Sequence, residues 1–166
     1  MIVIISFICL FIDIVSKNGS LLLNIGPRSD GTITEEETKV LLDMGEWLRV
    51  NGDGIYGSCH WKVFGEGEVN AEAGFFKDGD EKAFTAGDYR FTYKKGYLYV
   101  FQMRPDGKNM VIRTLARKKI RDMIISSAEL LGYGKVDFEK DENALTVRIP
   151  DNVDTELPLC VKLELA

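Results

Sequence analysis

The chain is expected to be mostly β: an antiparallel β-sandwich over residues 54–166, preceded over residues 1–53 by one β/α unit of the kind that builds a parallel sheet. Three observations predict this. A short apolar run at residues 21–25 leads into one strongly signalled helix. Beyond residue 53 hydrophobic side chains recur at every second position instead of every third or fourth. Turns containing Gly, Pro and Asn then break the chain at the short intervals typical of sandwiches.

The chain starts MIVIISFICLFIDIV, in which only Ser6 and Asp13 interrupt the apolar residues. Residues 7–15 predict a buried helix that ends before Lys17-Asn18-Gly19-Ser20, because Asn-Gly is a strong breaker. The run is shorter than the about 20 apolar residues that span a bilayer. It also lacks the basic start and small-residue cleavage site of a signal peptide. Residues 21–25 predict a strand stopped by Gly26-Pro27; apolar residues on both faces call for cover on both sides, as in a parallel sheet.

The helix that follows is the clearest local signal. Thr34 and Glu37 form the capping box T-x-x-E, and Glu35 and Glu36 suit the positive end of the helix dipole. Val40, Leu41, Met44, Trp47 and Leu48 make one apolar stripe, Arg49 lies in the last turn, and Asn51-Gly52 ends the helix.

In the β part, Tyr89, Phe91 and Tyr93 alternate with Arg90 and Thr92. Lys94-Lys95-Gly96 turns the chain into a strand over residues 97–103, and Pro105-Asp106-Gly107 turns it into another over residues 110–115. Val136 and Phe138 alternate with acids, Asp141-Glu142-Asn143 is a turn, and Leu145, Val147 and Ile149 share a face. Leu159, Val161, Leu163 and Leu165 alternate with Cys160, Lys162 and Glu164. Residues 117–131 tolerate either helix or strand by composition, and their neighbours favour a strand.

A net charge of −5 over 166 residues argues against nucleic acid, which calls for clustered cations. The dense basic run Arg117-Lys118-Lys119-Ile120-Arg121 reads as a solvated edge or loop. Cys9, Cys59 and Cys160 read as free thiols, since an odd number without C-x-x-C spacing fits neither a disulfide framework nor a zinc site. No metal or cofactor is implied.

Several stretches resemble the retaining α-L-fucosidases, in order and at family-like separations over residues 11–166. They are Asp13-Ile14-Val15-Ser16-Lys17-Asn18-Gly19, Leu21-Leu22-Leu23-Asn24-Ile25-Gly26-Pro27, Asp30-Gly31-Thr32-Ile33, Gly45-Glu46-Trp47-Leu48, Val50-Asn51-Gly52 and Ile55-Tyr56-Gly57. Phe84-Thr85-Ala86-Gly87-Asp88-Tyr89-Arg90-Phe91-Thr92 and Glu129-Leu130-Leu131-Gly132 continue the match. The resemblance implies a catalytic (β/α) barrel of the TIM type followed by a β-sandwich. Residues 1–53 then correspond to a C-terminal remnant of the barrel, with residues 21–25 as its last strand, and residues 54–166 to the sandwich. Residues 1–10 depart from the pattern, because they lack the polar face of an outer barrel helix.

Retaining glycosidases use two carboxyl groups about 5–5.5 Å apart, one a nucleophile and one an acid/base. The resemblance places the Asp nucleophile, the acid/base Glu and the sugar-holding His residues of the family upstream of the matched stretches. The chain alone is therefore expected to be inactive, with a fucosylated glycan as the substrate of an intact enzyme that the family places outside the cytoplasm or in lysosomes. Barrel sites lie at the C-terminal ends of the strands. That makes Asn24 and Arg28 candidates for the pocket rim; equally, Asn24 caps the turn and Arg28 is solvated.

Other motifs have plainer readings. Cys59-His60 pairs a thiol with a base, but sequence neighbours rarely aim at each other. Asp78-Gly79-Asp80-Glu81 lacks the ligand ladder of a calcium loop and reads as a hairpin turn. Asn18-Gly19-Ser20 is a glycosylation sequon leading into a strand expected to be buried. Gly65-Glu66-Gly67 lacks the phosphate-loop pattern. An alternative function from another class is a free-standing carbohydrate-binding sandwich, with Tyr89, Phe91, Tyr93, Tyr97, Tyr99 and Phe101 as stacking rings; their alternation favours core positions. A membrane anchor at residues 1–10 is too short to span. The apolar residues of the first 53, without the rest of a barrel, are expected to pack poorly and to drive self-association.

Overall fold

The computed structural model describes residues 2–69 and 83–166, with side chains from Ile4 onward. Asp78-Gly79-Asp80-Glu81 lies outside the described residues. Two helices come first, α1 (Ile2–Ser16) and α2 (Glu35–Asn51), the second running into a short 3-10 turn, Gly52–Gly54. Nine strands follow among the described residues: β1 (Cys59–Glu66), β2 (Tyr89–Lys94), β3 (Tyr97–Gln102), β4 (Met110–Ile112), β5 (Ile125–Leu130), β6 (Gly134–Lys135), β7 (Phe138–Lys140), β8 (Leu145–Val147) and β9 (Leu159–Leu165). Six make one antiparallel sheet in the order β1-β2-β3-β9-β5-β6; the other three make a second, β4-β8-β7.

The two sheets face each other across a core that the period-2 pattern builds directly. Tyr89 and Phe91 of β2, Leu98 and Val100 of β3, and Leu159, Val161 and Leu163 of β9 meet Met110, Ile112, Leu145 and Val147 of the small sheet. The hydroxyl of Tyr89 accepts a hydrogen bond from Val111 N–H at 3.0 Å, tying the sheets together. The antiparallel sandwich is thus as expected.

The other face of the large sheet is also buried. Tyr99, Phe101 and Cys160, the alternate residues of β3 and β9, pack under the helices against Ile4, Ile8 and Ile12 of α1 and Met44 and Trp47 of α2. The three isoleucines recur at i, i+4 and i+8, one stripe of a helix. Ile8 and Ile12 are fully buried, so α1 is better packed than an orphaned apolar segment was expected to be. It also starts earlier than residue 7, because nothing in the run breaks the helix before Ile4 reaches the sheet. In α2, Trp47 donates from Nε1 to the Pro158 carbonyl at 2.8 Å, next to the start of β9, and its ring lies 6.2 Å from that of Phe101. Gly54 lets the end of this layer touch the sheet: a Cβ there would meet Phe101 Cζ at 2.8 Å and Tyr99 Cδ1 at 3.0 Å.

Because the helices cover this face, Arg90 and Thr92, the polar positions of β2, are buried instead of solvated. Thr92 Oγ1 donates to the Gly54 carbonyl at 2.6 Å. Arg90 is fully buried and pairs through Nε with Asp13 Oδ1 of α1 at 2.5 Å. Its remaining nitrogens donate to the carbonyls of Tyr89 and Val69 at 3.0 and 2.7 Å, and the rings of Phe64 and Phe84 lie 5.3 and 5.1 Å from the guanidinium carbon.

Three expectations need correction. Residues 21–25 form no strand, because no described strand runs beside them to take their backbone hydrogen bonds. Leu22 is 92% exposed, while Leu21 and Leu23 lean on the helix-side core. The strand expected over residues 110–115 ends at Ile112, where the Glu66 carboxylate accepts the N–H groups of Arg113 and Thr114 and holds a 3-10 turn, Arg113–Leu115. Residues 117–124 are loop and turn, and only Ile125–Leu130 is strand.

Removing Asp13 would leave the Arg90 guanidinium buried without a counter-charge. Asp13→Ala is expected to lower unfolding stability by about 3 kcal/mol or more. The double variant Asp13→Ala, Arg90→Leu should recover part of that loss. Urea unfolding of the three proteins checks it, and equal midpoints for wild type and Asp13→Ala would show that the pair contributes nothing.

Candidate functional site

The expected rim residues lie in the loop between α1 and α2. Asn24 and Arg28 are both exposed there. Arg28 opens a tight turn: its N–H donates to the Thr32 carbonyl at 2.8 Å, and its own carbonyl accepts from Gly31 N–H at 2.9 Å. Asp30 closes the turn by accepting from the N–H and hydroxyl of Thr32 at 2.9 and 2.7 Å. The hydrogen bond from Thr32 N–H holds the Asp30 carboxyl below its ordinary pKa.

The capping box anchors the far end of the loop. Thr34 Oγ1 accepts from Glu37 N–H at 3.2 Å and donates to Glu37 Oε2 at 3.0 Å. Glu37 Oε1 reaches back 11 residues to accept from Gly26 N–H at 3.1 Å. This bond and the one from Thr34 lower the Glu37 pKa. The helix start therefore fixes where Gly26-Pro27 leaves the apolar run, with Asn24 and Arg28 on either side of that point.

A second polar cluster sits where the 3-10 turn meets the sheet. Asp53 receives Lys94 at 2.6 Å, Lys162 at 2.8 Å and the Tyr99 hydroxyl at 2.8 Å. Burial works to raise the Asp53 pKa, but the hydrogen bonds from Lys162, Lys94 and Tyr99 outweigh it and hold the carboxyl well below the usual carboxylate range. Burial, then the bond to Asp53, push Tyr99 above its ordinary value, so it remains a donor. The same bond raises Lys162. The charges are mutually satisfied, and the cluster serves as a second tie between helix layer and sheet. Neither this cluster nor the Asp13–Arg90 pair was foreseen. Their signal was polar residues at strand positions whose alternate neighbours are apolar.

Cys59 and His60 are neighbours on β1 and so project to opposite sides of the sheet. Cys59 Sγ lies 3.5 Å from the Tyr93 carbonyl. Cys9 and Cys160 are buried; burial, offset in part by Arg104 and Arg90, pushes the Cys9 thiol up to about 11, and burial raises Cys160 as well. Of the six rings proposed for stacking, Tyr89, Phe91, Tyr99 and Phe101 are buried and Tyr93 and Tyr97 are half-buried. Asn18, the sequon residue, is exposed at the end of α1 with φ 65°, and the strand expected to follow it is not formed. Among the described residues no group of three or more His, Cys, Asp or Glu side chains could hold a metal ion, and no helix is long and apolar enough to cross a membrane.

A family model described as Alpha-L-fucosidase matches residues 4–53. Tissue alpha-L-fucosidase of Rattus norvegicus is 44% identical over 55 residues, which are 33% of this chain and 12% of the rat protein. Plasma alpha-L-fucosidase of Homo sapiens is 47% identical over 51 residues, 31% of this chain and 11% of the human protein. A solved alpha-L-fucosidase superposes on 97% of this chain with a TM-score of 0.72 and 27% identity, and the Thermotoga maritima alpha-fucosidase in complex with fucose superposes on 96% with a TM-score of 0.69 and 27% identity. Over residues 4–53 the chain is similar to the alpha-L-fucosidase family, and it spans about a third of the length of these solved relatives.

Because Asp53 titrates below its unfolded value, the stability it adds is complete above about pH 4 and is lost as pH falls toward the folded value. Asp53→Asn is expected to be less stable than wild type at pH 7, by a margin that partial exposure keeps modest. The gap should close on acidification below about pH 4. Thermal melts from about pH 7 down to about pH 2.5, which takes in the upper part of that loss, check it by a gap that narrows below about pH 4; a gap independent of pH would mean that the charge of Asp53 does not matter.

Proposed function

We propose that this chain is the C-terminal portion of an alpha-L-fucosidase and that it is catalytically silent by itself. Residues 1–53 are taken as the end of the catalytic barrel and residues 54–166 as the sandwich that follows it. The observation that carries this reading is the joint one of family match and coverage: residues 4–53 fit the family, and nearly the whole chain superposes on about a third of a solved member.

Hydrolysis of an α-L-fucosyl linkage by a retaining mechanism needs a nucleophilic carboxylate and a carboxylic acid on opposite sides of the glycosidic bond. The carboxylates described above are committed elsewhere. Asp13 neutralises Arg90, Asp53 holds two lysines, Glu37 and Asp30 close turns, and Glu66 caps a turn. The reacting pair is assigned to the part of the barrel that precedes these residues in the family. Asn24 and Arg28 then contribute to the rim of its sugar pocket, at the C-terminal end of the run that becomes the last barrel strand once neighbouring strands are present. A fucosylated glycan is the substrate of that intact enzyme.

The same reading explains the exposed leucine. Leu22 faces solvent here and would face a barrel layer there. Until it is covered, residues 21–25 offer an unpaired apolar edge to a second copy.

Two outcomes are expected. An aryl α-L-fucoside incubated with the purified chain should release no phenol above a mock purification; turnover removed by a fucosidase inhibitor would overturn the assignment. In size-exclusion chromatography the chain should elute above its monomer mass with increasing concentration, and Leu22→Asp should shift it toward monomer. A concentration-independent monomer for both would exclude self-association through this edge.

A further inference from the structure

An open pocket of about 820 Å³ lies at the β1 end of the large sheet, between that strand and the loop over residues 117–124. Its walls bring together Lys62 of β1 with Lys119 and Arg121 of the loop, and His60 lies beside them. Tyr93 and Trp61 supply an apolar wall. Asp122 is the acidic side chain in the lining.

The basic run divides in two. Arg117 and Lys118 turn away toward the β7–β8 turn: Arg117 donates to the Lys140 carbonyl at 2.9 Å and lies 3.7 Å from Glu142, and Lys118 donates to Asn143 Oδ1 at 3.0 Å. Lys119 and Arg121, with Lys62 across the pocket, are exposed and make no side-chain hydrogen bond or ion pair among the described residues. Three unpaired cations from two separate segments therefore converge on one concavity, in a chain whose net charge is −5.

We propose that this pocket binds an acidic oligosaccharide, a sugar chain carrying sulfate or carboxylate groups. Guanidinium and ammonium donors make charge-assisted hydrogen bonds to such oxyanions, stronger than neutral ones. Tyr93, half-buried in the lining, offers apolar ring surface against which the C–H side of a sugar can lie. The volume falls within the usual range for small-molecule sites. The proposal stands apart from the fucosidase reading, because no residue of this pocket is assigned to that chemistry.

The test uses the full chain, a heparin-derived octasaccharide as probe, and calorimetric titration at low and at physiological salt. Binding is expected at low salt and should weaken as salt screens the contacts. Lys62→Ser, Lys119→Ser, Arg121→Ser in one chain should lose roughly tenfold or more in affinity. Its circular dichroism spectrum and melting temperature should match wild type, since all three side chains are exposed. A second triple variant, with Arg113, Arg117 and Lys118 changed to Ser, controls for general charge and should bind like wild type. Absence of binding by wild type, or equal losses in the two triple variants, would overturn the proposal. So would equally tight binding of a single-stranded DNA of matched charge, which would show a site for polyanions at large, or equal occupancy by inorganic sulfate alone, which would show a site for the ion and not the sugar.

Discussion

The pairing of Asp13 with Arg90 is the constraint around which the molecule is arranged. A guanidinium with no exposed surface is tolerable only with a carboxylate and enough acceptors around it. Here one oxygen comes from α1 and two carbonyls come from β2 and the end of the β1 segment. The bond therefore joins three parts of the chain that are 77 and 21 residues apart in sequence. It also sets the depth at which α1 lies on the sheet, and so which isoleucines meet Tyr99 and Phe101.

With α1 seated, the large sheet has two different cores. Toward the small sheet the contacts are aliphatic and aromatic and follow strand alternation. Toward the helices the layer mixes isoleucine, tryptophan, tyrosine and sulfur, and its margins are closed by polar groups: Asp13 with Arg90 on one side, Asp53 with Lys94, Lys162 and Tyr99 on the other. Central strands β2, β3 and β9 are consequently buried on both faces. Surfaces available for recognition are left to the loops and the outer strand β1, which is where Asn24, Arg28 and the pocket of Lys62, Lys119 and Arg121 lie.

Local signals are legible where the determining atoms are close in sequence. The capping box at Thr34 and Glu37 is present, and strand β9 covers the alternating residues that announced it. Sequence pattern misleads where a distant partner decides. Residues 21–25 have the composition of a buried strand, yet a strand exists only beside another strand. Arg90 and Thr92 look like the wet side of a hairpin until the helices are placed over them. Strand β1 was not anticipated because Lys62 and Val63 are both exposed and blur the alternation around Trp61. Of the two settings expected for the basic run, a solvated edge or a loop, the structure has the loop, and its partition between paired and unpaired cations depends on β1 and on the β7–β8 turn, which it meets only in three dimensions.

The unequal burial of the thiols sets the oxidation chemistry of the surface. Cys9 and Cys160 are shielded and hard to ionise, whereas Cys59 stands in solvent on an outer strand. Among the three, Cys59 is the one that an electrophile or a second molecule reaches first. A covalent dimer formed in air would thus be joined at one edge of the large sheet and would leave the interior sulfur atoms untouched.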